Sequence, residues 1–172
     1  EASLKLKLEK EREKIASRVG EMKEKFASKE AALKAKLAQF KDKVKAERAE
    51  KVSMTLQTIN SNRTSIMTKH LEILTKTLNT IEDRVNEGAA AGKNVDSAKT
   101  AISTARSAIE KASAAVSEQS SKDYAITVSS EETVKSDAKA GRDILLNDLK
   151  STHEMVKQAR EAVVAEIGRA HV

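Results

Sequence analysis

The chain has 172 residues, with no proline, cysteine or tryptophan and only three other aromatic residues. Because proline disrupts helix interiors and bulky side chains fill thick cores, this composition predicts an all-α protein with a thin core, such as a helical bundle or coiled coil. The lack of cysteine excludes disulfides, thiolate chemistry and cysteine zinc sites, and the whole net charge of +6 comes from the first 51 residues, with 16 Lys and Arg against 10 Asp and Glu.

Residues 1–51, the arm, are predicted to form one long basic helix that is continuous with the helix after it. Their apolar side chains recur at helical spacing and fall within an arc of about 60°. We call these ten residues the apolar stripe: Leu4, Leu8, Ile15, Val19, Met22, Phe26, Leu33, Leu37, Phe40 and Val44. Basic side chains flank the stripe and most acidic ones lie behind it, a layout shared by coiled-coil helices and lipid-surface helices.

The apolar stripe is the candidate interaction site of the chain. A single helix has nothing on which to bury these side chains, so we expect the stripe to associate with a second copy of the chain or with another helical protein. An anionic membrane surface is the alternative partner, although a narrow stripe without tryptophan favours a helix. Nucleic acid ranks third, because glutamates interrupt the lysines and no aromatic platform is present for base stacking.

Three further helices are predicted, at about residues 52–87, 95–120 and 130–167. Gly88 is the predicted stop of the first and Asn94 the N-cap of the second. The seam of the second helix alternates spacings of three and four and comprises Val95, Ala98, Ile102, Ala105, Ile109, Ala112 and Val116. Since short connections make neighbouring helices antiparallel, residues 52–167 are predicted to form an antiparallel three-helix bundle from which the arm extends.

One stretch between the last two helices is rich in strand-forming residues. Residues 123–128 are too few for a sheet, so they predict an extended connector whose Tyr124 and Ile126 close one end of the core. Ser129 with Glu132 then predicts a capping box that opens the last helix, and the neighbouring Glu131 is interpreted as complementing the dipole of that helix.

No residue set predicts a catalytic, cofactor-binding or metal-binding site. The segment from Gly88 to Asn94 lacks the spacing, the hydroxyl residue and the preceding strand of a phosphate-binding loop, so it is interpreted as a turn. His153 has no second histidine four positions on, as a zinc-protease helix requires. We therefore expect a non-enzymatic structural or interaction protein, a helical spacer with no cofactor and no small-molecule substrate.

Residues 168–172 break the periodicity and the composition of the last helix. Gly-Arg-Ala-His-Val, read together with the preceding isoleucine, matches the translation of a widely used sequencing adapter. Our hypothesis is that this tail is not native and that the gene is a metagenomic fragment. We then expect the natural chain to continue beyond it, and the start at Glu1 to follow a removed segment.

Several short stretches between Asn62 and Val164 carry a resemblance to known proteins. They are Leu71-Glu72-Ile73-Leu74, Ile81-Glu82-Asp83-Arg84-Val85, Ala105-Arg106-Ser107-Ala108-Ile109, Asp148-Leu149-Lys150 and Val156-Lys157-Gln158-Ala159-Arg160-Glu161-Ala162. In these the chain resembles predicted-secreted, all-helical proteins of candidate-phylum bacteria. The resemblance implies export, which favours the extracellular space or the cell envelope over the cytoplasm, and it implies no activity. The arm by itself resembles apolipoprotein-type helices.

Overall fold

The computed structural model describes residues 17, 20, 21 and 24–169. In this part of the chain the elements are α1 (residues 24–37), α2 (Lys43–Ala90), α3 (Asp96–Ser120) and α4 (Val134–Arg169), with no strand among them. The predicted all-α class and the packing of the helices into a bundle are confirmed.

The chain divides into two compact units, and α2 and α4 contribute to both. Unit 1 contains the chain up to Asn60 together with Ser121–Leu146. Unit 2 contains Ser61–Ser120 and Asn147–Val172. The predicted boundary after residue 51 therefore lies inside α2, and residues 52–60 group with α1.

The prediction of one uninterrupted helix through the arm is wrong, because α1 ends at Leu37 and α2 begins at Lys43. The chain leaves α1 through a tightened last turn. The N–H of Gln39 donates to the carbonyl of Lys36 at 3.2 Å, and the N–H of Phe40 donates to the carbonyl of Leu37 at 3.1 Å. The helix thus ends without glycine or proline, the residues whose presence would have predicted a break.

Asp42 begins the next helix. Its Oδ1 accepts the N–H of Lys45 at 3.0 Å, which is the hydrogen bond of an N-cap residue to the N3 position. The Nζ of Lys43 donates back to the carbonyl of Ala38 at 2.9 Å and so closes the turn between α1 and α2.

After this turn, α2 runs back along α1, and the two helices form a helical hairpin. The Nζ of Lys34 lies 3.3 Å from Oε1 of Glu50, and each residue is eight positions from Asp42. The Nζ of Lys29 lies 2.9 Å from Oδ2 of Asp123, which follows α3. Because both lysines are largely exposed, such pairs contribute about 0–1 kcal/mol each. The hairpin therefore depends mainly on apolar packing.

Unit 1 has an apolar core to which all of its segments contribute. Its buried residues are Leu33, Leu37, Phe40, Ala46, Ala49, Leu56, Tyr124, Ile126, Val128 and Leu145. Burial of one large apolar side chain stabilises a fold by about 1.5–3 kcal/mol. The three core residues before α2 therefore outweigh the exposed ion pairs in holding the hairpin together.

The connector between α3 and α4 (residues 121–133) contains neither helix nor strand from 122 to 130, which includes the predicted stretch 123–128. Tyr124, Ile126 and Val128 are buried while Thr127 and Ser129 are exposed, so side chains alternate as they do in a strand. The backbone of the connector is held by side chains of α2 and not by a second strand.

We call this set of side-chain-to-backbone hydrogen bonds the polar ladder. Its three bonds run from the Ile126 N–H to Oγ of Ser53 (3.2 Å), from the Tyr124 N–H to Oε1 of Gln57 (3.2 Å) and from Nδ2 of Asn60 to the Lys122 carbonyl (3.4 Å). The seven positions from Ser53 to Asn60 rise about 10.5 Å along α2, and the four positions from Lys122 to Ile126 span about 13 Å when extended, so the two spacings are similar. This match lets one face of α2 satisfy alternate backbone groups of the connector.

The last helix begins later than predicted, at Val134 and not near residue 130. Residues 131–133 form a turn, and the predicted pairing of Ser129 with Glu132 is replaced by bonds to Asp137. Oδ2 of Asp137 accepts the Ser129 N–H at 2.8 Å and the Thr133 hydroxyl at 2.9 Å. The carboxylate thus fastens the connector to the first turn of α4.

This arrangement predicts a pH-dependent contribution to stability. Hydrogen bonds from the Ser129 backbone and the Thr133 hydroxyl lower the pKa of Asp137 below its ordinary value of 3.8. A lowered pKa stabilises the fold above the unfolded-state pKa, and this stabilisation is lost as the pH falls through the folded-state pKa. We expect Asp137→Asn to lower the urea midpoint at about pH 6. The difference between the midpoints of the variant and the wild type should shrink below pH 3.8.

A matched control for that measurement is Asp143→Asn, whose carboxylate contacts only its neighbour Arg142 in the described part of the chain. It should change the midpoint little at either pH. An effect of Asp137→Asn that stays constant throughout the acidic range would contradict this account of the connector.

Unit 2 combines the remainder of α2, all of α3 and the remainder of α4. Most of the predicted seam of α3 is confirmed, since Ile102, Ala105, Ile109, Ala112 and Val116 are buried and the other two members are half-buried. The buried residues contributed by the neighbouring helices are Met67, Leu71, Leu78, Ile81, Val85, Leu149, Val156, Ala159 and Val163. Alanines without exposed surface on α3 and α4 allow these helices to approach closely.

The turn between α2 and α3 follows Ala90, so α2 ends three residues later than predicted. The N–H of Lys93 donates to the carbonyl of Gly88 at 3.0 Å, and the N–H of Gly92 donates to that of Ala89 at 2.9 Å. With Gly92 at a φ of 81°, these bonds form a Schellman motif. Asn94 is the N-cap of α3, as predicted, because its Oδ1 accepts the Asp96 N–H at 3.1 Å.

Candidate interaction surfaces

The apolar stripe is divided by the turn between α1 and α2. Leu33, Leu37 and Phe40 are 4–6% exposed, so the expectation that they find no burial within one chain is wrong. Phe26 is half-buried, and Val44 is 55% exposed because α2 starts in a new direction. The remaining members, which lie outside the described residues, are Leu4, Leu8, Ile15, Val19 and Met22.

Glu131 was predicted to complement the dipole of the last helix, but its carboxylate lies at the start of α2. Its two carboxylate oxygens accept the backbone N–H groups of Lys41 and Asp42, at 2.9 Å and 3.1 Å. These N–H groups precede α2, where a negative charge also complements the helix dipole. No sequence signal could identify this contact, because its partners are about 90 positions apart.

An open groove lies between the parts of α2 and α4 that belong to unit 1. It encloses about 1010 Å³. The apolar residues that line it, which we call its floor, are Val52, Leu56, Ile59 and Ala138. The polar residues that line it, which we call its rims, are Arg48, Lys51 and Thr55 from α2, and Glu132, Lys135, Ser136, Lys139 and Arg142 from α4 and the turn before it.

The rims of this groove are strongly basic, with five cationic side chains and one carboxylate. A hydrogen bond from the Ser130 hydroxyl lowers the pKa of Glu132, so its negative charge persists at neutral pH. Arg142 pairs with Asp143 at 3.1 Å. Within the described part of the chain, the other four cations form no ion pair with a carboxylate. The groove therefore combines a positive potential with an apolar floor.

Two of the three histidines of the chain lie among the described residues. His70 on α2 and His153 on α4 are both exposed, and His171 lies outside the described residues. Among residues 24–169, no three His, Cys, Asp or Glu side chains come together in a way that could hold a metal ion. None of the described helices has a segment long and apolar enough to cross a membrane.

Comparison with known proteins identifies no relative of this chain. No protein-family model, no curated protein and no solved structure matches it.

Proposed function

We propose that this chain is a non-enzymatic structural and interaction protein, a helical spacer that associates through the apolar stripe of its arm. The observation that carries the proposal is the burial of Leu33, Leu37 and Phe40 against other segments of unit 1. In this C-terminal part of the stripe, apolar side chains pack against other segments of the protein. In the sequence, the same arc continues toward the N-terminus through the half-buried Phe26 and five further apolar residues.

The partner that fits such a continuation is another helix, from a second copy of the chain or from another helical protein. Side chains of this size contribute about 1.5–3 kcal/mol each when fully buried. Five of them are therefore enough to stabilise association, provided that the flanking lysines remain in water.

Binding to an anionic membrane surface is the second candidate, because the same arm carries the whole excess of positive charge. On this alternative, anionic vesicles increase the helicity of the chain and carry it upward in a flotation gradient. A nucleic-acid role instead requires an affinity that falls steeply with salt. Export to the cell envelope or the exterior stays a proposal that rests on the resemblance described above.

The association is tested with substitutions at the N-terminal end of the stripe. We expect Leu8→Glu with Ile15→Glu to convert an oligomer at high micromolar concentration into a monomer, because two charges then replace apolar contacts. The measurement is light scattering after size exclusion, performed with and without anionic vesicles. Point changes are preferable to removal of the whole arm, since residues 24–51 belong to unit 1 and include the N-cap of α2.

The matched control is Ser3→Glu with Ser17→Glu. It changes the net charge by the same amount at positions more than about 120° from the centre of the stripe. This variant should keep the mass of the wild type. A wild-type chain that is monomeric at every concentration, and equally helical with and without vesicles, would reject self-association and lipid binding together.

A further inference from the structure

The groove of unit 1 is long enough, and its floor is apolar enough, to bind a helix. Arg48 and Ile59 at its two ends lie eleven positions apart on α2, which corresponds to about 16 Å along the helix axis. Leu56 is buried at the bottom, while Val52 and Ile59 keep part of their surface in solvent. Ala138 on the opposite helix projects only a methyl group. About three turns of a further helix can therefore lie between α2 and α4.

The charges of the two rims restrict what that helix can be. Lys135, Lys139 and Arg142 follow spacings of four and three on α4, so they share one face. Arg48 and Lys51 lie three positions apart on the opposite rim. A segment that enters the groove thus has cations on both sides, and complementarity requires acidic side chains on both of its flanks.

The arm of the chain itself does not meet this requirement. Residues 1–16 contain five basic and four acidic side chains, so this segment has no excess of negative charge. The five cations on the rims of the groove repel the basic side chains of such a segment, and the rims offer only one carboxylate to pair with them. The charge pattern therefore points to a different protein and not to a second copy of the arm.

We propose that this groove binds an acidic amphipathic helix of a partner protein. The apolar face of that helix, with residues at positions i, i+3, i+4 and i+7, packs on Val52, Leu56 and Ile59. Its flanking Asp and Glu side chains pair with Lys135 and Lys139 on one rim and with Arg48 and Lys51 on the other. None of the residues that line the groove belongs to the apolar stripe, so the chain has two interaction surfaces of different specificity.

Two features of the groove favour a helix over other anionic partners. Small-molecule sites usually enclose 70–90% or more of their ligand, whereas this groove is open to solvent. Nucleic acid binds through backbone contacts and base stacking, and no aromatic side chain lines the groove. An apolar floor between two rows of cations instead matches an amphipathic helix with acidic flanks.

The test measures binding of designed peptides to the full chain by fluorescence anisotropy. The probe is a fluorescein-labelled, helix-stapled peptide of about 14 residues, with a leucine seam flanked on both sides by glutamate. Its controls are a scrambled peptide of the same composition and a peptide with lysine in place of every glutamate. We expect micromolar binding of the acidic amphipathic peptide and at least about tenfold weaker binding of both controls.

Variants of the groove locate the site. We expect Lys135→Glu with Lys139→Glu, and separately Ile59→Asp, to weaken binding of the acidic peptide by at least about tenfold. Each position is exposed, so these changes leave the fold intact, which a circular-dichroism melt checks. The matched control is Lys150→Glu with Arg160→Glu, which makes the same charge change on exposed positions of α4 in unit 2 and should bind like the wild type.

Three results would overturn the proposal. One is equal affinity for the acidic, scrambled and lysine peptides, and another is unchanged affinity in the groove variants. The third is binding of phosphatidylglycerol vesicles that depends on Lys135 and Lys139 when the peptide does not bind, which would assign the groove to lipid. Because Leu8 and Ile15 are not substituted, failure here leaves the proposal for the stripe unaffected.

Discussion

Replacement of Phe40 by alanine is expected to destabilise unit 1 by about 3–5 kcal/mol, the usual cost of removing a buried aromatic ring. Phe40 is 6% exposed and lies in the turn between α1 and α2. Its loss leaves a cavity at the point where the hairpin reverses. We therefore expect both a lower urea midpoint and faster amide hydrogen exchange in α1, measured by mass spectrometry.

The control is Val44→Ala, four positions further along the same sequence stripe. On a continuous helix the two residues would share a face, and their truncation would have similar consequences. In the structure Val44 is 55% exposed, so its truncation should change stability by no more than about 0.5 kcal/mol. Equal effects of the two substitutions on stability would contradict the hairpin and would support an uninterrupted helix through the arm.

Removal of the Ser53 hydroxyl is expected to cost about 1–3 kcal/mol, although only one atom is deleted. Ser53 is 1% exposed, and its Oγ accepts the N–H of Ile126 at 3.2 Å. Ser53→Ala leaves that buried N–H without its acceptor in the polar ladder, and the desolvation penalty of the donor is then not offset. Denaturant unfolding measures the loss, and hydrogen exchange at Ile126 shows whether the connector detaches.

Thr58→Ala is the matched control for this prediction. It also removes one hydroxyl from α2, but Thr58 is exposed and its Oγ1 bonds only the carbonyl of Met54 in its own helix. The free energy of unfolding should change by no more than about 0.5 kcal/mol. A small gain in stability is expected, because alanine has a better helix propensity than threonine. If both substitutions behave alike, the polar ladder does not hold the connector.

The division of the stripe changes what association through the arm involves. Leu33, Leu37 and Phe40 already contribute to the core of unit 1, so a partner that used them would have to displace α1. The proposed association therefore concerns the residues ahead of α1. The groove between α2 and α4 does not require such a displacement, because its floor is already accessible between the two helices.

Most helices were predictable because their periodicity is a local property of the sequence. The seam of α3 repeats at spacings of three and four, and all but two of its members are buried. The N-cap Asn94 was predictable for the same reason, since a cap bonds within two or three residues of itself. The extended connector also followed from its β-branched and aromatic residues.

The elements that were not predicted depend on contacts between residues far apart in sequence. The turn between α1 and α2 has no glycine or proline, and its amides are held by Glu131, about 90 positions away. The groove is formed by α2 and α4, whose lining residues are separated by more than 70 positions. Periodicity on either helix alone identifies neither feature.

The sequence by itself determined the all-α class, the turn between α2 and α3, the extended connector and the concentration of charge in the first 51 residues. Each of these was predictable from composition or from a local sequence pattern, which does not depend on how distant parts of the chain pack. Only the tertiary structure decided that α1 packs against α2 as a hairpin and that lysines from two helices flank one groove. Those outcomes depend on burial, because Phe40 and its neighbours are more stable in a core than along a solvated helix.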